Sequence, residues 1–346
     1  MILPKSVSFA LRGFLGGCAL AFASAAGAAP AYPGYTPQGK LDGELHCVGS
    51  DVMDTITLGW LEIFRKAHPQ VAATIEARVA SSAFTGLLTG HGQIGPISRP
   101  IFPSETAEFV KKFGYPPTEI RVSGGAYDTP GFSPPLVIIV HPDNPVRQIT
   151  LKQIEEIYAE SGTLTSWDQI APPAGTTGLR IVPWGLRPPN GTAFVFQQMA
   201  MHGRAFRSEV IFRPLENDLS RSAQRTSSGG VKAFGDIVAG VAQDPLAIGY
   251  AAPRDVTAAV RIVPVARQDG SPAVSPGREQ VALMEYPLCR FTYIYINRPP
   301  GSPIDPKVKE FLRIVLSAEG QAVVAQRSPF LPLPADILRQ ELAKLE

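Results

Sequence analysis

Four short stretches place glycine, small or hydroxylic residues directly before a helix-like run. They are Gly49-Ser50-Asp51-Val52, Ser81-Ser82, Ile97-Ser98-Arg99 and Arg187-Pro188-Pro189-Asn190-Gly191-Thr192. The chemistry available to such stretches is capture of an anion. A helix N-terminus presents backbone N–H groups without intrahelical partners and carries partial positive charge. Several such ends converging hold an anion without a high net charge. Ser and Thr hydroxyls add donors, and Arg adds a planar fork that bonds two oxygens of one oxyanion. Each stretch alone is weak, because Ser-Ser before a helix is commonly a plain N-cap; the repetition of one design is what points to a site. The residues for catalysis are not arranged in this way. His46, His68, His91, His141 and His202 are isolated and lack metal-ligand spacing. Ser50-Asp51 has no His or Lys beside it to activate a nucleophile. No cofactor is implied.

The elements that must carry these stretches alternate. Residues 45–48 read as a strand, 53–66 as a helix with Ile56, Trp60, Ile63 and Phe64 on one face, and 71–79 as a strand. A short helix at 84–88, a strand at 94–97 and a helix at 105–113 follow. This β-α alternation predicts mainly parallel sheets with helices on their faces. The continuous apolar run 136–140 suits a buried central strand. Beyond it come a helix at 151–158 capped by Thr150, a strand at 180–182, helices at 192–202 and 231–242, and strands at 247–250 and 261–265. A strand at 291–296 and helices at 307–316 and 320–325 complete two α/β units of similar size. Ligands of open α/β sheets lie beyond the carboxyl ends of the strands, which is where all four stretches fall. Trp60, Trp167 and Trp184 read as packing residues.

The 346 residues are 45% hydrophobic and 18% charged, ordinary globular composition with material for one large core or two smaller ones. A net charge of +2 supplies no field for nucleic acid or an anionic membrane. Residues 1–28 read as a secretory signal: Lys5 and Arg12, an apolar run over 13–23, then Ala26-Gly27-Ala28 with cleavage after Ala28. Leu15-Gly16-Gly17-Cys18 resembles a lipobox, and the alternative is a lipid anchor on Cys18; the apolar region continues past Cys18, which favours the simple signal. Residues 29–42, with Pro30, Pro33, Gly34, Pro37 and Gly39, read as a flexible leader. Cys47 and Cys289 remain after export and read as two buried thiols, with a disulfide between them the alternative that an oxidising compartment permits.

Several blocks resemble, in order, the PstS-like phosphate-binding proteins, the periplasmic component of the phosphate ABC transporter. Gly49-Ser50-Asp51-Val52-Met53 is similar to the family's opening Gly-Ser-Asp-Thr-Met. Gly95-Pro96-Ile97-Ser98-Arg99-Pro100, His141-Pro142-Asp143-Asn144-Pro145, residues 151–158, Thr165-Ser166-Trp167-Asp168, Asn190-Gly191-Thr192, Ala247-Ile248-Gly249-Tyr250 and residues 316–321 follow. Together they span residues 44–333. The resemblance implies an α/β, two-lobed type II periplasmic-binding-protein fold. Each lobe would be a mixed, mostly parallel sheet flanked by helices, with a cleft between the lobes. Lobe I would comprise residues 43–132 and 283–346, and lobe II residues 133–282. Hinge crossings would fall near Gly131-Phe132 and Tyr286-Pro287.

The resemblance also implies a ligand set. Ser50, Asp51 and the backbone of Val52 and Met53 would form the first loop, Ser81 or Ser82 would add a hydroxyl, and Ser98 and Arg99 would face the anion. Arg187, Asn190, Gly191 and Thr192 would close from the other lobe, with Leu186 competing with Arg187 for its place. Val52 stands where a ligand Thr is usual and Asn190 where Ser is usual. Arg99 stands where the best-known phosphate binders have an Asp that accepts the anion's proton. Arg has no acceptor, so such a site favours a dianion and separates phosphate poorly from arsenate and sulfate. Arg99 is alternatively a surface ion-pair partner. Asp51 would cap the next helix or pair with an arginine such as Arg99. The function implied is oxyanion binding by a monomer for delivery to an ABC transporter permease. The alternatives are an exported module that has lost its ligand and a secreted phosphatase.

Overall fold

The computed structural model describes residues 32–170, 179–213 and 228–346. The expected signal and Cys18 lie outside the described residues. The chain first lays down β1 (Gly43–Ser50), α1 (Asp54–Ala67), β2 (Val71–Arg78), α2 (Ser81–Thr89), β3 (Ile94–Ile97), α3 (Pro103–Phe113) and β4 (Thr118–Gly124). It then forms β5 (Val137–Val140), β6 (Ile149–Thr150), α4 (Leu151–Tyr158), β7 (Val182–Leu186), α5 (Gly191–Met201), β8 (Ile211–Arg213), α6 (Ser228–Ala242), β9 (Ala247–Ala251), β10 (Arg261–Val263), β11 (Val265–Ala266) and α7 (Arg278–Ala282). It returns through β12 (Phe291–Ile296), α8 (Pro306–Val315), α9 (Ala318–Arg327) and α10 (Ala335–Ala343).

Two five-stranded sheets result, ordered β2-β1-β3-β12-β4 and β10-β5-β9-β7-β8. This is the two-lobed α/β architecture expected, with mixed sheets. In each sheet one strand opposes the rest: β12 is antiparallel to β3 and β4, and β5 is antiparallel to β9 and β10. The reason is connectivity. β5 and β12 are the strands by which the chain enters each lobe from the crossing, so they run away from it. The others end there: Phe291 at the start of β12 pairs with Gly124 at the end of β4, and Val137 at the start of β5 pairs with Ala251 at the end of β9. Both sheets therefore turn the carboxyl ends of their parallel strands toward the crossing, the place where open α/β sheets bind ligands.

The local signals act as expected. The apolar face of α1 buries Ile56, Trp60 and Phe64, and His68 caps it before Pro69. Pro103 starts α3, and Gly114 at φ 84° ends it in the left-handed region. All four residues of β5 are buried, as its uniform apolarity requires. Two main cores follow from the two sheets. One centres on Trp60, Phe64 and Phe311, the other on Tyr158, Phe196 and Tyr250, where the Phe196 and Tyr250 rings stack at 3.9 Å. Trp60 and Trp167 are fully buried and donate to the carbonyls of Gly320 and Leu246, the packing role expected of them. The strand β4 and the helix α10 lie where no strand or helix was expected. β4 is a partly exposed edge strand with mixed composition, and α10 is short.

Cys47 and Cys289 are buried free thiols, the first of the two readings open for them, and the permitted disulfide does not form. Cys47 sits in β1 inside the first core and Cys289 against the second, so each serves as a small buried hydrophobe. Burial pushes the Cys289 thiol up to about 12 and that of Cys47 higher still. The stretch expected as a leader is, over residues 32–42, tied to the C-terminal helices. Tyr32 Oη donates to Leu333 O, Tyr35 N–H donates to Glu319, Tyr35 Oη donates to Glu310 at 2.8 Å, and Ala318 N–H donates to Pro33 O.

Candidate oxyanion site

Ser50 ends β1 and is 1% exposed, with its hydroxyl 3.4 Å from Asp51 Oδ1. Gly49 before it must be glycine, since a Cβ there would stand 2.2 Å from Pro96 O on β3. That close approach sets the first loop against the third. Asp51 opens a single 3-10 turn, and its carbonyl accepts from Asp54 N–H. Val52 is half-buried against the first core, and the Met53 side chain is wholly inside it, leaving only backbone for a ligand.

Helix α2 starts at Ser81, earlier than expected, so both serines lie in its first turn. They differ in use. The Ser82 hydroxyl lies 2.7 Å from Val79 O and 2.9 Å from Gly49 O, so its proton is committed to tying the second loop to the first. Ser81 is exposed, and its hydroxyl has no partner among the described residues.

Ser98 follows β3, and its carbonyl accepts from Ser133 Oγ at 2.6 Å. Arg99, 8% exposed, is held on three sides. Nη1 and Nη2 make a two-pronged pair with Glu105 at 2.8 and 2.9 Å, and Nη1 also donates to Pro100 O. The guanidinium lies 3.7 Å over the Phe102 ring. Glu105 is oriented in turn by Phe102 N–H at 2.6 Å. The acid that pairs with Arg99 is thus Glu105, not Asp51, and it comes from the third turn-to-helix junction itself. A guanidinium has five N–H donors in a fixed fork. The bonds above take three, and the edge formed by Nε and the remaining Nη2 proton completes the group.

From the second sheet, Arg187 follows β7, is exposed, and its side chain has no partner among the described residues. The Pro188–Pro189 bond after it is cis. Asn190 caps α5: its Oδ1 accepts from Thr192 N–H at 2.8 Å and Ala193 N–H at 3.1 Å. Thr192 therefore has its hydroxyl to offer a ligand, while its N–H serves the cap. Asn190 keeps its amide NH2, two donors, on the other pole of the side chain.

The two halves meet. A Cβ on Gly191 would lie 3.7 Å from Arg99 Cδ, which puts the N-terminus of α5 against Arg99. The rings of Phe102 and Phe194 cross at 4.7 Å and 72°. The structure thus brings Arg99 to Asn190-Gly191-Thr192 across the sheets, and Ser50 and Ser82 together through Gly49. Sequence reasoning passed over Phe102, Glu105 and Phe194. Glu105 carried a signal, a Glu at the third position of a helix opened by Pro103. The aromatic residues carried none. Among the described residues no group of three or more His, Cys, Asp or Glu is placed to hold a metal ion.

Residues 34–319 match the PBP superfamily domain, which defines the class of protein. Phosphate-binding protein PstS of Pseudomonas aeruginosa is 30% identical over 324 residues, 91% of each chain. The chain belongs to this PstS family within the PBP superfamily. Phosphate-binding protein PstS 2 of Streptococcus pneumoniae is 26% identical over 136 residues, 39% of this chain and 40% of that one. The crystal structure of PstS from Borrelia burgdorferi shares the fold, with a TM-score of 0.53, 17% identity, and coverage of 84% of this chain and 99% of that one.

Proposed function

We propose that the protein binds inorganic phosphate, or a similar tetrahedral oxyanion, outside the cytoplasm and delivers it to an ABC transporter permease. The observation that carries the oxyanion reading is the meeting of Arg99 with the N-terminus of α5 across the two lobes. Donors from both sheets converge there, at the carboxyl ends of the parallel strands. The kinship with PstS supports phosphate as the anion. The contributing groups are Ser50, the backbone of Asp51, Val52 and Met53, the hydroxyl of Ser81, Ser98 and the outer edge of Arg99. Arg187, the Asn190 amide, Gly191 N–H and the Thr192 hydroxyl close from the second lobe. Ser82 acts through the loop it ties down.

Function follows from closure. An anion that binds one lobe and bonds better when the second lobe arrives shifts the population toward the closed form, and that form docks on the permease. Calorimetric titration of protein freed of bound anion tests the reading. One-to-one phosphate binding near micromolar affinity, about 8 kcal/mol, is expected. Arg99 offers the anion's proton no acceptor, so sulfate and arsenate should compete. A second reading, an exported module without ligand, draws on Asn190, whose Oδ1 covers two amides that could face an anion. Heat or thermal stabilisation from none of the three anions would favour it.

A further inference from the structure

We propose that Arg290 is an additional cation of the oxyanion site, and that the bound anion supplies the counter-charge the fold withholds from it. This rests on the oxyanion reading above. Arg290 stands immediately before β12, on the crossing side of the first sheet. Its carbonyl accepts from Gly125 N–H at 2.8 Å. A Cβ on Gly125 would lie 1.8 Å from Ser133 O, and Ser133 Oγ donates to Ser98 O. The Arg290 backbone is therefore linked to the Ser98-Arg99 turn through Gly125 and Ser133, three contacts in all. β12 also pairs with β3, with Tyr293 opposite Ile97, the residue before Ser98. The position is at the carboxyl ends of β3 and β4, where a ligand belongs.

Its electrostatic state is unlike that of Arg99. Arg290 is half-buried, and among the described residues its guanidinium has no hydrogen bond and no acidic partner. Burial draws its pKa down to about 10, with Tyr293 opposing the shift. The acids carried nearby are engaged elsewhere. Glu105 holds Arg99, Glu341 holds Arg121 and Lys344, and Glu119 accepts from Tyr295. A partly desolvated charge without a counter-ion costs stability, and such a cost persists where the missing partner arrives with function. Arg99 enters the site already neutralised by Glu105; Arg290 does not.

The test compares Arg290→Met, Arg290→Lys and, to control for net charge, exposed Lys111→Met on α3. Each is titrated with inorganic phosphate and melted without it. Arg290→Met is expected to weaken phosphate by about tenfold or more, the loss of one charged contact. Its melting temperature without phosphate should equal or exceed that of the parent, because the uncompensated charge is gone. Arg290→Lys should recover part of the affinity, and Lys111→Met should bind as the parent does. A Met variant that binds within about twofold of a phosphate-binding parent overturns the proposal alone. So does a Met variant that melts lower without phosphate, since the arginine would then be holding the fold. A parent that binds neither phosphate nor sulfate overturns the functional reading and this proposal together.

Discussion

At the scale of single residues, the site depends on how Arg99 is held. Its charge is balanced by Glu105 in a pair with side chains 9% and 11% exposed. Removing one partner of a buried pair leaves the other uncompensated, which typically costs about 3 kcal/mol or more. Glu105→Gln should therefore destabilise the protein by about that amount, read as a lower urea midpoint. Saturating phosphate should recover more stability in this variant than in the parent, because the anion then meets an unpaired arginine. A urea midpoint equal to the parent's would show that Glu105 does not support Arg99. The sequence made Arg99 visible through its motif, and its type alone indicated that it lacks an acceptor. The partner was hidden because an ion pair between a loop and a helix is decided by backbone path, not by periodicity. Arg290 was hidden for the same reason: it lies between elements, where no spacing marks which way a side chain turns.

At the scale of elements, α3 and α5 do more than present donors. Phe102 at the start of α3 lies under Arg99 and against Phe194 of α5, so one ring touches both the cation and the opposite lobe. Crossed aromatic pairs contribute about 0.5–1.5 kcal/mol beyond burial. Since this pair forms only when the lobes meet, its loss should appear in the closed state. Phe194→Leu is expected to weaken phosphate about threefold to tenfold. The change should lie mainly in a faster dissociation rate measured by stopped flow. An unchanged dissociation rate would place the pair outside the closure step. Most helices were legible, because α1, α4 and α8 carry their buried faces at helical spacing, Thr150 and Asp305 mark the starts of α4 and α8, and Pro103 and Gly114 mark the ends of α3. The start of α2 was less so. Ser81 and Ser82 have the composition of a cap, yet the cap position is Ala80 and both serines are helical. The strand β4 escaped because half-buried Thr118, Glu119 and Arg121 interrupt the apolar pattern, and its pairing with β12 spans more than 160 residues of sequence.

At the scale of the whole molecule, the topology was legible as alternation, but the direction of the entering strands was not. β5 and β12 oppose their neighbours because of where the chain crosses, a property no local window contains. The docking of residues 32–42 was equally hidden, since proline and glycine there resemble a free linker, while tyrosines supply the anchors. Tyr35 Oη donates to Glu310 and lies 2.8 Å from His68 Nε2, and Gln38 N–H also donates to Glu310. Burial raises the Glu310 pKa, but Gln38 N–H, Tyr35 Oη and Arg313 outweigh it, and the carboxyl is held below its ordinary value. A carboxylate depressed in the folded state stabilises the fold above its unfolded pKa, about 4.3, and loses that contribution as pH falls through the lower folded value. Tyr35→Phe removes one of the bonds that hold it. At pH 7 the variant should be less stable by about 1.5 kcal/mol, the range for a hydrogen bond to a charged group. The gap from the parent should narrow below about pH 4 as Glu310 protonates in both proteins. Thermal melts of the two proteins across pH 3–7 measure this directly (on the order of a few degrees at neutral pH). A gap that stays constant to pH 3 would mean that Tyr35 anchors the segment through His68 and ring packing, with Glu310 contributing nothing that titrates.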